Sequence, residues 1–419
     1  MAVGSPKSGK STFTGRLLNR YLTGQGKSAR PVPAVYYLDL DPAKPEFTPH
    51  GQVSLVAVRS LDLGPSFTHF SVPTSSLSAG QNETIRSHPV PSNLTNYRDH
   101  YRSCAEDLFL TYKTLQSHNP LVPLLITIPG SLYDSDFDFL MSLLVRFKPH
   151  HVIHLGDFQE SDTDDATKLH ALQTAASQYR GAVHEITSHV PSYPSMRTES
   201  ELRAMQMQSY FHFRSANMNG ETPSTWSAAP MTKHVPWEFC FEETEERMQD
   251  FAGFAMYTEP IEAISLVHAL NGSVVQIVQS TSSTVPACYT SLPRTNRHRI
   301  PYFPKSGRTG IVEPLDPRTS QLICTALVRG FDAARKVVQL LIPKTHENLL
   351  YTLSPERTIF VGGCCDTPDW AFVEEVHATA VVERDGSRCA LGAPWVQDGF
   401  LVDNMGYLDT VRRVRKFQT

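Results

Sequence analysis

Gly4-Ser-Pro-Lys-Ser-Gly-Lys-Ser11 fits the pattern GxxxxGK[ST] at every fixed position. Residues of these types at this spacing hold phosphate. Glycines let the backbone wrap an anion closely, with its N–H groups turned inward. A helix that starts directly after the loop adds its positive end. In such a cradle Lys10 reaches the β- and γ-phosphates and Ser11 ligates Mg²⁺. The predicted nucleotide contacts are Gly4, Ser5, Pro6, Lys7, Ser8, Gly9, Lys10, Ser11 and Thr12, with ATP and Mg²⁺ as ligands. A glycine turn opening an ordinary helix is the alternative reading.

Two acids follow at the end of the next apolar run. Val35-Tyr-Tyr-Leu-Asp-Leu-Asp41 reads as a buried strand, and its period of two puts Asp39 and Asp41 on one face. In a P-loop enzyme such an acid holds Mg²⁺ or its water shell. In a kinase it also takes the proton from the attacking hydroxyl. Asp41 is assigned to the acceptor hydroxyl and to Mg²⁺, and Asp39 to Mg²⁺ support. A plain strand-end turn at Asp41-Pro42 is the alternative.

These groups need a scaffold. Phe13, Leu17, Leu18 and Tyr21 have helical spacing, which predicts a helix over 11–22. Only three residues precede Gly4, so the strand that should carry the loop is expected to be cut short. Residues 60–96 are rich in Ser, Thr, Pro and His and read as a long loop or insertion. Helices are predicted over 97–116, 137–147 and 201–214, and strands over 121–128, 151–155 and 182–186. Strands alternating with helices argue for a parallel sheet flanked by helices. Short β-rich runs at 264–267, 274–278, 322–328, 337–342 and 358–361 predict a second, β-dominated region. The expected division is an α/β P-loop domain over 1–215, a linker over 216–254 and a β-rich domain over 255–419.

The totals exclude several classes. The chain has 419 residues, 40% of them hydrophobic and 19% charged, which is a globular composition. A net charge of −4 does not suit a uniformly basic nucleic-acid binder, so RNA would need a local basic channel. Arg412, Arg413, Arg415 and Lys416 offer one such stretch, or a solvated helix face. The seven cysteines show no zinc-type spacing and read as reduced thiols. No apolar run is long enough to span a membrane. No Asn-Lys-x-Asp guanine reader or motor signature accompanies the loop, which argues against a GTPase or a motor ATPase.

The stretch Asp39-Leu-Asp-Pro-Ala-Lys-Pro-Glu-Phe-Thr-Pro-His-Gly-Gln-Val-Ser-Leu55 resembles the segment after the P-loop in the polynucleotide 5′-hydroxyl kinases of ribosomal-RNA processing. That family is related to the kinase subunit of the mRNA cleavage complex. Gly64-Pro-Ser-Phe-Thr-His69, Thr127-Ile-Pro-Gly130, Leu202-Arg-Ala-Met-Gln-Met-Gln-Ser-Tyr-Phe-His212, Leu270-Asn-Gly-Ser273 and Val328-Arg-Gly-Phe-Asp332 resemble further family blocks in order.

The resemblance implies transfer of the γ-phosphoryl group of ATP to a 5′-hydroxyl of RNA. It implies pre-rRNA spacer processing beside an endonuclease partner in the nucleus, at the nucleolus. It makes Arg203 a lid arginine over the transferring phosphoryl group, with Arg197 a weaker second cation, and Thr127 a substrate or metal-water contact. The family pattern has Gly-Gln where this chain has Ala43-Lys44, and Trp where it has Ser131. An aromatic at that position could stack on a terminal base. A rival expectation is an ATP-binding scaffold of a nuclease complex that has lost catalysis.

Overall fold

The computed structural model describes residues 1–24, 30–77, 80–156, 163–188, 197–215, 224–258, 261–281, 292–371 and 373–374. Cys288, Cys389 and the basic run at 412–416 lie outside them. The chain divides into a large unit, Met1–Ala228 with Pro236–Pro368, and a small one, Ala229–Val235 with Asp369–Thr419. Within the small unit, Met231 N donates to Glu374 Oε2 at 3.0 Å. Everything below concerns the large unit.

Its first half runs β1 (Ala2–Gly4), α1 (Lys10–Thr23), β2 (Val35–Asp39), β3 (Gln52–Val58), β4 (Val72–Pro73) and β5 (Glu83–Pro89). Then come α2 (Arg98–His118), β6 (Leu124–Thr127), α3 (Gly130–Ser135), α4 (Phe137–Phe147), β7 (His151–Gly156), α5 (Thr163–Ser177), β8 (Ala182–Thr187) and α6 (Glu199–His212). The strands form one sheet in the order β4-β5-β3-β2-β6-β1-β7-β8. From β2 through β6 and β1 to β8 the pairs are parallel, as the alternation of strands and helices predicts. β3 instead runs antiparallel to β2 and to β5. Residues 60–96 therefore do more than loop out, because Glu83–Pro89 adds a full strand between β3 and the two-residue edge strand β4. The mixed polar composition of that strand hid its alternation.

β1 is short but sits at the sheet centre, paired with β6 on one side and β7 on the other. All three of its residues are buried. Period-two alternation in β2 sets the two layers. Tyr36, Leu38 and Leu40 pack with Tyr101, Cys104 and Leu108 of α2. Val35 and Tyr37 face the other way, onto Leu18 of α1. The same alternation places Asp39 on the α1 side of the sheet.

After a short hairpin of β9 (Phe213–Arg214) and β10 (Thr225–Trp226), a second sheet begins with β11 (Trp237–Cys240) and β12 (Gly253–Met256). It continues past α7 (Leu266–Leu270) with β13 (Val274–Ser280), β14 (Ser320–Asp332), β15 (Val337–Leu341) and β16 (Thr358–Gly362). Its order is β11-β15-β14-β13-β16-β12. The apolar run at 264–267 is thus not a strand. It enters the helical turn α7, which buries Leu266 and Leu270 against β13 and β16. β13 packs Val275 and Ile277 on one face and Val278 on the other. Five cysteines in the described residues are free thiols. No helix among the described residues is long and apolar enough to cross a membrane.

Candidate nucleotide-binding site

The loop between β1 and α1 has the backbone its sequence requires. Gly4 adopts φ +146°, and a Cβ there would lie 2.2 Å from the Leu155 carbonyl oxygen, so only glycine fits. Gly9 caps α1 at φ 96° without a side-chain bond, and the first helical turn holds no acid. Its amides are left for an anion. The Ser8 hydroxyl is buried and lacks a hydrogen-bond partner among the described residues. Lys10 folds back into the loop, donating Nζ to the carbonyls of Gly4 at 2.8 Å and Ser5 at 2.7 Å. Burial lowers its pKa to about 8, against the pull of Asp41 and Asp134. Ser11 and Thr12 are exposed on the first turn of α1.

The two acids occupy different settings. In sheet register Asp39 lies between Ser54 of β3 and Thr127 of β6, a polar row at one end of three strands. Its carboxylate accepts from Glu46 N at 2.7 Å, Thr127 Oγ1 at 3.1 Å and Asp41 N at 3.3 Å. Burial nonetheless raises its pKa to about 8. Asp41 closes its own turn, accepting from Ala43 N at 3.1 Å and Lys44 N at 3.2 Å. Burial raises its pKa too, while those amides, Lys44 and Lys10 hold it down. The turn between the acids is fixed from α2, where Tyr101 OH donates to Leu40 O at 2.9 Å.

The structure thus brings Lys10, Asp39, Asp41 and the loop amides to one end of the sheet. Thr127 belongs to the same cluster, but its hydroxyl is buried and directed at Asp39 rather than outward. Arg203 has a partner that the sequence pattern did not name. It lies on α6, half-buried, and donates Nε to Asp366 Oδ2 at 2.6 Å. Glu199, in the first turn of α6, is paired with Lys44. The Glu199 carboxylate also feels Lys7 of the loop and Arg203, and its pKa is lowered first by the Lys44 hydrogen bond. Arg197 makes an Nη1 contact with Met205 Sδ.

Several groups at the site were not predicted. Ser5 Oγ donates to Asp134 Oδ1 at 2.7 Å. Gly130 starts α3 so close to the loop that a Cβ would stand 2.6 Å from Pro6 N and 2.9 Å from Lys10 Nζ. Asp366, 163 positions from Arg203, carries no local signal that could have revealed it. The segment Thr127-Ile-Pro-Gly130 did carry one, but its glycine reads only as a strand stop without the structure.

The fit to a magnesium nucleotide can be tested on these atoms. The uncapped helix end and orphaned Ser8 hydroxyl supply donors for phosphate. Two desolvated carboxylates whose burial favours their neutral forms supply oxygen donors suited to a hard divalent cation. The residues present fit both groups.

A central parallel sheet, a glycine-bounded anion loop, an inward lysine and strand-end acids define a P-loop nucleotide-binding protein of the α/β class. The family model described as the mRNA cleavage and polyadenylation factor CLP1 P-loop matches residues 4–213. The chain belongs to that family. It is 32% identical over 403 residues to the polynucleotide 5′-hydroxyl-kinase GRC3 of Gibberella zeae, covering 92% of this chain and 52% of the relative. It is 29% identical over 468 residues to the grc3 kinase of Aspergillus niger, covering 99% and 55%. The chain spans about half the length of these curated relatives. A chain in the wild-type Clp1p–Pcf11p complex shares the fold, with a TM-score of 0.56 at 13% identity, covering 86% of this chain and 73% of that one.

Proposed function

We propose that this chain is an ATP-dependent polynucleotide 5′-hydroxyl kinase. The observation that supports it most is the inward Lys10, held at the mouth of an uncapped helix and within electrostatic reach of Asp41. The names of the GRC3 relatives point to the same acceptor. Mg²⁺, held by Ser11, Asp41 and Asp39, would supply charge neutralisation at the phosphates.

The chain's own groups do the rest. Loop amides from Gly4 to Thr12 and the Lys10 ammonium bind and orient the triphosphate. Asp41, whose burial makes it a better proton acceptor than an exposed carboxylate, takes the proton of the 5′-hydroxyl. The freed oxygen bonds to the γ-phosphorus as the bond to the β,γ-bridging oxygen breaks, and ADP leaves. Arg203 carries charge on the transferring phosphoryl group. Asp39 and Thr127 hold the turn that presents Asp41.

We further propose RNA as the acceptor, pre-rRNA spacer processing as the setting, an endonuclease as the partner and the nucleolus as the place. These rest on likeness to the named relatives.

Transfer of labelled phosphate from ATP to a 5′-hydroxyl oligoribonucleotide tests the central claim. Wild-type protein should label the oligonucleotide, and Lys10→Ala should reduce labelling at least a hundredfold. Equal labelling by both would remove the mechanism. A second reading, an ATP-binding scaffold, is favoured by Ser131, which is exposed where the family pattern has Trp. Nucleotide binding without transfer would select it.

A further inference from the structure

Arg203 is held by a contact that the sequence pattern does not contain. Its Nε donates to Asp366 Oδ2 at 2.6 Å, and its terminal Nη groups make no hydrogen bond among the described residues. Asp366 comes from the loop after β16, in the second sheet. That loop is fixed to the segment following Asp41. Asp366 N donates to His50 Nε2 at 3.0 Å, and Cys365 Sγ donates to His50 O at 3.3 Å. Gln276 of β13 adds a bond from Nε2 to Gly51 O at 2.9 Å. His50 is buried, which lowers its pKa to about 4 and leaves Nε2 free to accept.

A guanidinium is a planar fork. A carboxylate on Nε fixes the plane and leaves both Nη groups for a second anion. Without that contact the long side chain would be freer to change rotamer. The Coulombic pairing itself counts for little, since Asp366 is 41% exposed. What it contributes is direction. Lys44, whose amide donates to Asp41 Oδ1 at 3.2 Å, pairs through its ammonium with Glu199 in the first turn of the same helix, so the fork is oriented on an element tied to the Asp41 turn.

We propose that Asp366 is a positioning residue for phosphoryl transfer, aiming the Arg203 guanidinium through Nε so that its Nη groups meet the transferring phosphoryl oxygens. This rests on the kinase reading above. It assigns the second sheet a part in the reaction, with one loop gripping both the Asp41–Gly51 segment and the lid arginine.

Kinetics of Asp366→Ala, Asp366→Asn, Arg203→Ala and the double Asp366→Ala/Arg203→Ala test it, alongside affinity for ADP with aluminium fluoride. Asp366→Ala should lower kcat about tenfold while the KM for ATP stays within about twofold, the split expected for a contact made in the transition state. It should cost nothing further in the Arg203→Ala background, because residues acting as a unit are not additive. Asp366→Asn keeps an acceptor oxygen and the backbone bond to His50, so it should recover part of the loss. Losses that multiply, or wild-type kcat in Asp366→Ala beside a crippled Arg203→Ala, would overturn the proposal. If the wild type transfers no phosphate, the kinase reading fails separately. The aluminium-fluoride affinity then decides: equal weakening by the two single variants supports the positioning role, and wild-type affinity in Asp366→Ala sinks it.

Discussion

Gly130→Ala separates activity from folding at one atom. Gly130 has no left-handed φ, so alanine is accepted by the backbone at the first position of α3. Helix propensity favours the change by up to about 1 kcal/mol. The new methyl, however, would stand 2.6 Å from Pro6 N and 2.9 Å from Lys10 Nζ, and ordinary contact begins at 3.4 Å. Lys10 can swing, but Pro6 is backbone, so the phosphate loop must withdraw by roughly 0.8 Å against β1 packing. A displacement of about 1 Å at a reacting centre costs up to about a hundredfold. We expect kcat/KM to fall about 10- to 100-fold, or roughly 1.4 to 2.7 kcal/mol of transition-state stabilisation. The thermal midpoint should move by no more than a few degrees. Steady-state phosphate transfer and thermal unfolding on the same preparation give both numbers. Wild-type kcat/KM in a folded Gly130→Ala protein would refute the claim that this loop positions the phosphates.

Two further outcomes follow from burial. Lys10, with its pKa lowered to about 8, loses its charge as pH rises through that value, so ADP affinity should fall by up to about tenfold per pH unit above it. Calorimetric titrations at pH 7 and pH 9.5 check this, and a flat profile in wild type would exclude Lys10 as the phosphate cation. Asp39, with its pKa raised to about 8, stabilises the metal-free fold in acid, and that contribution is lost as pH rises from the ordinary carboxylate range through about 8. Added Mg²⁺ should therefore raise the thermal midpoint more at pH 9 than at pH 6. Equal shifts at both pH values would deny Asp39 any share in metal binding.

The parts of this site that could be read in the sequence are those whose partners lie within a few positions. Lys10 and its loop sit inside eight consecutive residues, and the helix after them has its own period. Asp39 and Asp41 are legible because a strand alternates and both acids fall on one parity. Arg203 needed a family pattern to be singled out at all, and its setting could not be foreseen. Asp366 reaches it only because the second sheet packs a loop against His50. Strand β5 was missed for a related reason. Its half-buried run carries Glu83, Arg86 and His88, whose partners Arg59 and Asp107 come from β3's far end and from α2. Charges paired across a fold read as loop composition in a linear chain.

The same long-range bookkeeping explains why the acids are expensive and why that expense is informative. The alternation that buries Val35 and Tyr37 against Leu18 also forces whatever stands at the next step into the layer beneath α1. An apolar residue there would make a more stable strand, since a buried carboxylate is costly unless a cation accompanies it. The chain instead carries Asp39, flanks it with Ser54 and Thr127 in register, and offers it two backbone amides. Those neutral donors still leave it favouring its protonated form near neutral pH. A carboxylate kept in that condition, beside a second desolvated acid and a desolvated lysine, would be balanced by a metal–phosphate group that brought its own charges. Two desolvated acids and a desolvated lysine at one end of the sheet are the charge arrangement that a metal–phosphate group would complete.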